Sequence, residues 1–190
     1  AKETVGEAFR YSSFQVAAII STTGFGTDDF EAWGSFAKLL LLGLYFTGGC
    51  SGSTAGGMKL IRVIVVVKAA WVSLRRSFRT HLVQPVRVDR QVFSDQAVAE
   101  ILAFMTLWVL TAGGGALLVA LMDSVDGTTA ITASIACVAN VGPGLGLVGP
   151  TDNFGFFSPG AKYVLSLCML LGRLEFMALL ALLTPSFWRS

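Results

Sequence analysis

Residues 21–27 read STTGFGT, and residues 139–146 read ANVGPGLG. In each, an apolar run stops at a Gly-x-Gly step, Gly24 and Gly26 in the first and Gly142 and Gly144 in the second, an offset of 118 residues. Downstream, DFEAWGSFAK at 29–38 aligns with NFGFFSPGAK at 153–162. Phe30 then pairs with Phe154 and Lys38 with Lys162, at an offset of 124. The difference is taken up by a longer connecting loop, LGLVGPTDN at 145–153. Order, spacing and residue type recur together, which marks an internal repeat.

The segment before each motif is a short apolar helix pattern, VGEAFRYSSFQVAAII at 5–20 and DGTTAITASIACVAN at 126–140. Both fall short of the roughly 20 residues that cross a bilayer. A helix that stops midway must be shielded by protein, because lipid cannot satisfy its backbone ends. Its terminal carbonyls carry partial negative charge. Glycines after it tolerate the positive φ that turns successive carbonyls to one side. Such oxygens replace the hydration shell of a cation in the potassium-channel filter TVGYG. Here 22–26 read TTGFG and 140–144 read NVGPG, and only the glycines are common to all three. That is expected if backbone carbonyls are used. An ordinary turn would explain TTGFG alone; its recurrence after a second half-length helix favours a filter.

Composition agrees with a membrane setting. Of the 190 residues 54% are hydrophobic and 14% charged, against about 25% charged in soluble domains, and the mean hydropathy is +0.69. The opening AKETVGEAFR lacks the order of a secretory signal. Eight of the 14 Lys and Arg lie between Lys59 and Arg90, which marks a cytoplasmic segment rather than a nucleic-acid patch. Asp28, Asp29, Glu31, Asp123, Asp126 and Asp152 follow the glycine motifs or separate apolar spans, and are expected on the opposite, external face. Cys50, Cys137 and Cys168 have no metal-ligand spacing.

Residues 97–122 and 160–184 read as spanning helices, and 75–95, with Pro85, as a basic loop. Between them, residues 34–74 read as one apolar helix broken at GGCSGSTAGG, 48–57, with helix resuming at 58. Five of those ten residues are glycine, each costing about 1 kcal/mol in a helix relative to Ala. Ser51, Ser53 and Thr54 compete locally for backbone. Unwound backbone is tolerated at membrane depth only where it lines protein or a cavity. A GxxxG packing face through Gly48, Gly52 and Gly56 is the alternative; the repeat favours a loop. A phosphate-binding loop fails, because Met58 stands where GxxxxGK[ST] needs Lys and no strand precedes it.

STTGFGT, GGCSGSTAGGMKLIRV, NVGPGLGLVGPT and LLGRLEF with LTPSFWR resemble the Trk/Ktr/HKT superfamily of potassium transporters, and within it the bacterial Trk-type membrane subunits. The resemblance runs over the whole chain. It implies an all-α integral membrane fold of four repeats around one pore, each an outer helix, pore half-helix, filter loop and inner helix. Residues 1–74 correspond to a third repeat lacking its outer helix, with pore helix 5–20, filter 22–26 and inner helix 34–74 broken at 48–57. Residues 75–95 are a cytoplasmic linker. Residues 96–190 are a complete fourth repeat, with outer helix 97–122, pore helix 127–139, filter 140–144 and inner helix 160–184. By motif, the potassium ligands are backbone groups of Thr22, Thr23, Gly24 and Phe25, and of Asn140, Val141, Gly142 and Pro143. Asn140 and Pro143 depart from the channel pattern, which implies a less symmetric filter. The resemblance makes 48–57 an intramembrane gate, through Gly48, Gly49, Ser51, Gly52, Ser53, Thr54, Gly56 and Gly57.

The offset of 124 puts Arg173 at the level of Gly49. From Lys162 that is roughly 16 Å of helix, about midway through a ~30 Å core. A charge at that depth is functional by default, and the resemblance points it at the permeation path. Glu175, two residues on, does not share its helix face. The family further implies a homodimer in the bacterial plasma membrane, with residues 75–95 and the C-terminus cytoplasmic. It also implies two more repeats in the full-length chain and a ring of cytoplasmic nucleotide-binding subunits. The resemblance implies potassium as the transported ion, and no covalent cofactor is expected. No His–Glu, Cys–His or Ser–His–Asp set recurs at membrane depth, so nothing points to an enzyme. The sequence leaves open a sodium-permeable or cation-coupled transporter of the same fold, and a non-conducting scaffold.

Overall fold

The computed structural model describes residues 4–50, 53, 56–78, 85–88, 91–174 and 176, save the Arg76 side chain. The fold is helical: α1 (Val5–Ile20), α2 (Ser35–Leu44), α3 (Leu60–Phe78), α4 (Asp95–Met122), α5 (Gly127–Ala139) and α6 (Pro159–Arg173). A small antiparallel hairpin, β1 (Val86–Val88) and β2 (Gln91–Phe93), precedes α4, with Val86 opposite Phe93 and Val88 opposite Gln91. Local chemistry sets the helix starts. Thr4, Ser94, Asp126 and Ser158 each accept a backbone N–H of the first turn. Pro159 adds a preset φ at the start of α6.

α4 is the one described helix long and apolar enough to cross a membrane. Its 28 residues reach about 42 Å. At its start, Val98 packs with Val65, Val72, Val86 and Val88 in a small core between α3 and the hairpin. At its far end, the Asp123 carboxylate accepts the Ser158 N–H at 3.0 Å, tying α4 to the start of α6. The basic hairpin and the acidic Asp123 loop thus lie at opposite ends of one helix long enough to span a bilayer.

α5 lies in the centre, packed on both α4 and α6. Nine of its 13 residues are buried, and its Ser134 hydroxyl donates to the Ala112 carbonyl of α4 at 2.7 Å. The helices approach closely at Gly115, where a Cβ would stand 2.5 Å from Ser134 Oγ and 2.8 Å from Cys168 Sγ. The C-terminal half of this short helix is thus enclosed by protein, the setting that a helix ending at membrane depth needs.

The repeat is written in hydrogen bonds. Asp29 and Asn153 each accept the N–H two residues on, at 2.9 and 2.7 Å, opening matching 3-10 turns at Phe30–Ala32 and Phe154–Phe156. Lys38 Nζ donates to the Glu31 carbonyl at 2.9 Å, and Lys162 Nζ to the Gly155 carbonyl at 2.7 Å.

Several boundaries differ from the sequence reading. Residues 75–95 are not one loop: α3 continues to Phe78, and Val86–Val88 and Gln91–Phe93 pair as strands. Alternating Val86 and Val88 are buried and Arg87 is exposed, a period of two that the surrounding charge obscures. Helix resumes at Leu60 rather than 58. The helix expected over 160–184 ends at Arg173, capped by Leu174. Phe176 then takes φ 33 and is buried, edge-on to Phe104 at 5.5 Å, with Arg62 over the other ring at 4.1 Å. Aromatic and cation–π packing here outweighs continued helix. Residues 177–190, Glu175 and His81 lie outside the described residues.

Candidate functional site

α1 and α5 end in the same way. Thr22 donates to Ile19 O and Thr23 to Ala18 O; at the matching positions Asn140 donates to Cys137 O and Val141 to Ala136 O, all four at 2.9–3.0 Å. This paired closure needs a left-handed residue, usually Gly and sometimes Asn. Thr22 (φ 54) and Asn140 (φ 57) occupy it. For a β-branched threonine that conformation is strained. Two residues on, Gly24 (φ 72) and Gly142 (φ 114) are again positive. Both loops therefore alternate the sign of φ at the same two positions, straight off the negative end of a half-length helix.

The loops lie against each other. A Cβ on Gly24 would collide with the Val141 carbonyl oxygen and lie 3.2 Å from Pro143 Cδ. A Cβ on Gly142 would meet nothing within 4 Å. Thr23 and Phe25 are exposed, Val141 buried, and Thr22, Gly24, Asn140, Gly142 and Pro143 intermediate. One candidate carbonyl is already engaged: Tyr45, just past α2, donates its hydroxyl to Pro143 O at 2.5 Å. Behind the second loop, Thr132 Oγ1 accepts the Leu145 N–H at 3.0 Å and Thr129 Oγ1 the Leu147 N–H at 3.2 Å. Glu31 Oε1 accepts the Gly146 N–H at 2.6 Å. Tyr45, Glu31, Thr129 and Thr132 are absent from the sequence-derived set. The threonines' spacing by three on α5 was the available signal; Tyr45 and Glu31 act across 98 and 115 residues and left none.

The glycine-rich stretch comes up beneath both loops. The Gly56 N–H donates to Thr22 Oγ1 at 3.3 Å, and a Cβ on Gly56 would stand 2.7 Å from Asn140 Cβ. Gly57, at φ 73, faces the Ala139 carbonyl. Gly48, at φ 56, folds against the Met58 carbonyl, and Gly49 O accepts from Leu60. Ser53 donates its N–H to Cys50 O. Ser51, Gly52 and Thr54 lie outside the described residues. From the other side, Gly172 abuts the Val138 carbonyl, and Asn140 Nδ2 donates to Met169 O at 3.1 Å. Arg173 follows Gly172 at the C-terminal end of α6, exposed. No described carboxylate forms an ion pair with it. Thus Thr22, Gly24, Asn140, Val141, Pro143, Gly56, Gly57 and Gly172 come together, with Arg173 at their edge. Among the described residues, no group of three or more His, Cys, Asp or Glu could hold a metal ion.

Two short helices ending in paired glycine loops, the second packed on a helix long and apolar enough to cross a membrane, define a membrane transport protein of all-α, internally repeated architecture. The chain belongs to the TrkH family of cation transport proteins, whose family model matches residues 1–189. It is 42% identical to the Trk system potassium uptake protein TrkI of Halomonas elongata, over 93% of this chain and 36% of that protein. It is 36% identical to TrkH of Escherichia coli, over 98% of this chain and 37% of that one. The crystal structure of the potassium transporter TrkH from Vibrio parahaemolyticus superposes with a TM-score of 0.88 at 36% identity, covering 99% of this chain and 40% of that chain. The chain therefore spans a little over a third of the length of these relatives.

Proposed function

We propose that residues 22–26 and 140–144 are two of the filter segments of a potassium-uptake pore in a bacterial plasma membrane. In this reading 1–74 and 96–190 are the third and fourth repeats, and two further repeats of the full-length chain complete the ring. Potassium is the transported ion, held by backbone carbonyls from Thr22 to Phe25 and from Asn140 to Pro143, with no covalent cofactor. The observation that carries the proposal is the matched positive φ at Thr22 and Gly24, and at Asn140 and Gly142. Each pair follows a helix too short to span, whose carbonyl end favours a cation.

Residues 48–57 serve as the gate beneath the filter, supported by the seat of Gly56 and Gly57 against Thr22, Ala139 and Asn140. Arg173 opposes cation dwell below the filter, supported by its charge, exposure and place beside Gly172. The basic hairpin faces the cytoplasm, where a nucleotide-binding regulatory ring docks on a homodimer. The relatives' names, Trk system potassium uptake proteins, support the ion and the process. The engaged Pro143 carbonyl favours a less stringent filter than a fourfold channel, and so some sodium permeation.

The test is ion flux in liposomes containing the full-length protein. Gly24→Ser and Gly142→Ser should each bring sodium and potassium fluxes closer together. Wild-type discrimination in both variants would remove the filter assignment.

A further inference from the structure

Three polar contacts converge on Glu31. Its Oε1 accepts the Gly146 N–H at 2.6 Å, its Oε2 pairs with Lys38 Nζ at 3.1 Å, and its main-chain oxygen takes the same Lys38 Nζ at 2.9 Å. The carboxylate lies between two glycines of the second unit's outer loop. A Cβ on Gly149 would stand 3.0 Å from Glu31 Cγ, and Gly146 has φ 74. Gly146 is two residues beyond the second Gly-x-Gly step, whereas Glu31 follows the first.

The second unit supplies an internal control. At the position matching Glu31 it has Gly155, and Lys162 still donates to that residue's carbonyl, at 2.7 Å. The lysine lock therefore forms without any carboxylate. What the Glu31 side chain adds is the reach into the other unit. A carboxylate gripping a backbone N–H is a charge-assisted bond, stronger than a neutral one. It fixes the start of the 145–149 loop directly above residues 140–144. We infer that Glu31 is a positioning residue for the second filter segment, holding its outer mouth in register with the first through Gly146. Discrimination by carbonyl rings depends on their spacing, so a slack mouth admits the wrong ion more readily. The inference rests on the filter reading proposed above.

The test separates reach from charge in the full-length protein reconstituted in liposomes, reading rubidium uptake and its inhibition by sodium. Glu31→Asp keeps the charge but is one methylene short of Gly146; Glu31→Gln loses the charge but keeps an acceptor oxygen at the same reach. Glu31→Asp and Glu31→Ala should lose discrimination by about tenfold, the effect of losing one charge-assisted bond, while Glu31→Gln, which keeps a neutral bond of about half that strength at the same reach, should lose only about threefold. Wild-type discrimination in Glu31→Asp, or a loss in Glu31→Gln equal to that in Glu31→Ala, overturns the inference. If Glu31→Ala does not assemble, the other two variants decide alone. Gly142→Ser, run in parallel, distinguishes the failures. If it relaxes discrimination and the Glu31 variants do not, only the role of Glu31 falls. If neither Gly142→Ser nor Gly24→Ser changes discrimination, the filter reading falls with it.

Discussion

The α-carbon of Gly24 lies against the carbonyl oxygen of Val141, so that any side chain at 24 would occupy the place of that oxygen. Gly142 has open space around it but a φ of 114. Gly24, at φ 72, is thus required by contact and by conformation, and Gly142 by conformation alone. Gly24→Ser should therefore both relax ion discrimination and lower the melting temperature in detergent. Gly142→Ser should relax discrimination with the smaller thermal effect. Equal melting shifts in the two would contradict the contact between the loops.

Gly172 makes the corresponding approach below, where a Cβ would strike the Val138 carbonyl and stand 3.0 Å from Asn140 Nδ2. Gly172→Ala should push α6 off the end of α5, at a cost of about 1–3 kcal/mol for overpacking against backbone. A thermal melt of the purified full-length protein checks this. An unchanged melt would mean that α6 is free to shift at that level.

The repeat could be read from the sequence because its signals are local. Thr22 and Asn140 bond to residues three positions back, and Thr23 and Val141 to residues five back, closing their helices, while Lys38 and Lys162 lock turns seven residues away. Such interactions recur wherever the short pattern recurs. The hairpin at 86–93 was hidden because Arg87 and Gln91 interrupt a valine run too brief to outweigh the charge around it. The end of α6 was hidden because the helix pattern continues past Arg173, whereas Phe176 packs on the Phe104 ring of another helix. Tyr45 and Glu31 were hidden for the same reason: their partners lie on the other unit.

Thr22 does two things at once. Its backbone closes α1 in a left-handed conformation, and its Oγ1 accepts the Gly56 N–H at 3.3 Å. Thr22→Val keeps the β-branched shape and removes the acceptor. The net loss of one such bond is about 0.5–1.5 kcal/mol, enough to shift a closed–open balance several-fold if the bond exists only in the closed state. Basal flux should rise while ion discrimination stays near wild type. Unchanged flux would mean that the bond is equally present in both states.

The last prediction concerns control from the basic side. α3 runs from Leu60 to Phe78 without Gly or Pro, beginning three residues after Gly57, which sits under the Ala139 carbonyl. Along its length, Val65 and Val72 pack with Val86 and Val88 of the hairpin, and Lys68 Nζ donates to the Arg87 carbonyl at 2.9 Å. The hairpin and α3 therefore move together, and a partner pulling on the hairpin would move Gly57. For a partner to shift the gate it must bind the two states with different affinity. Arg75 and Arg87 are exposed on this face. If the regulatory ring proposed above docks here, reversing both to Glu should weaken its binding and leave basal permeation in place. Val86→Ala with Val88→Ala should leave the partner bound but reduce the change in flux that nucleotide produces, because the hairpin is then loose on α3. Partner affinity by pull-down and nucleotide-dependent flux in liposomes separate the two effects. Nucleotide control that survives the valine pair undiminished would show that force reaches the gate by another route than the hairpin.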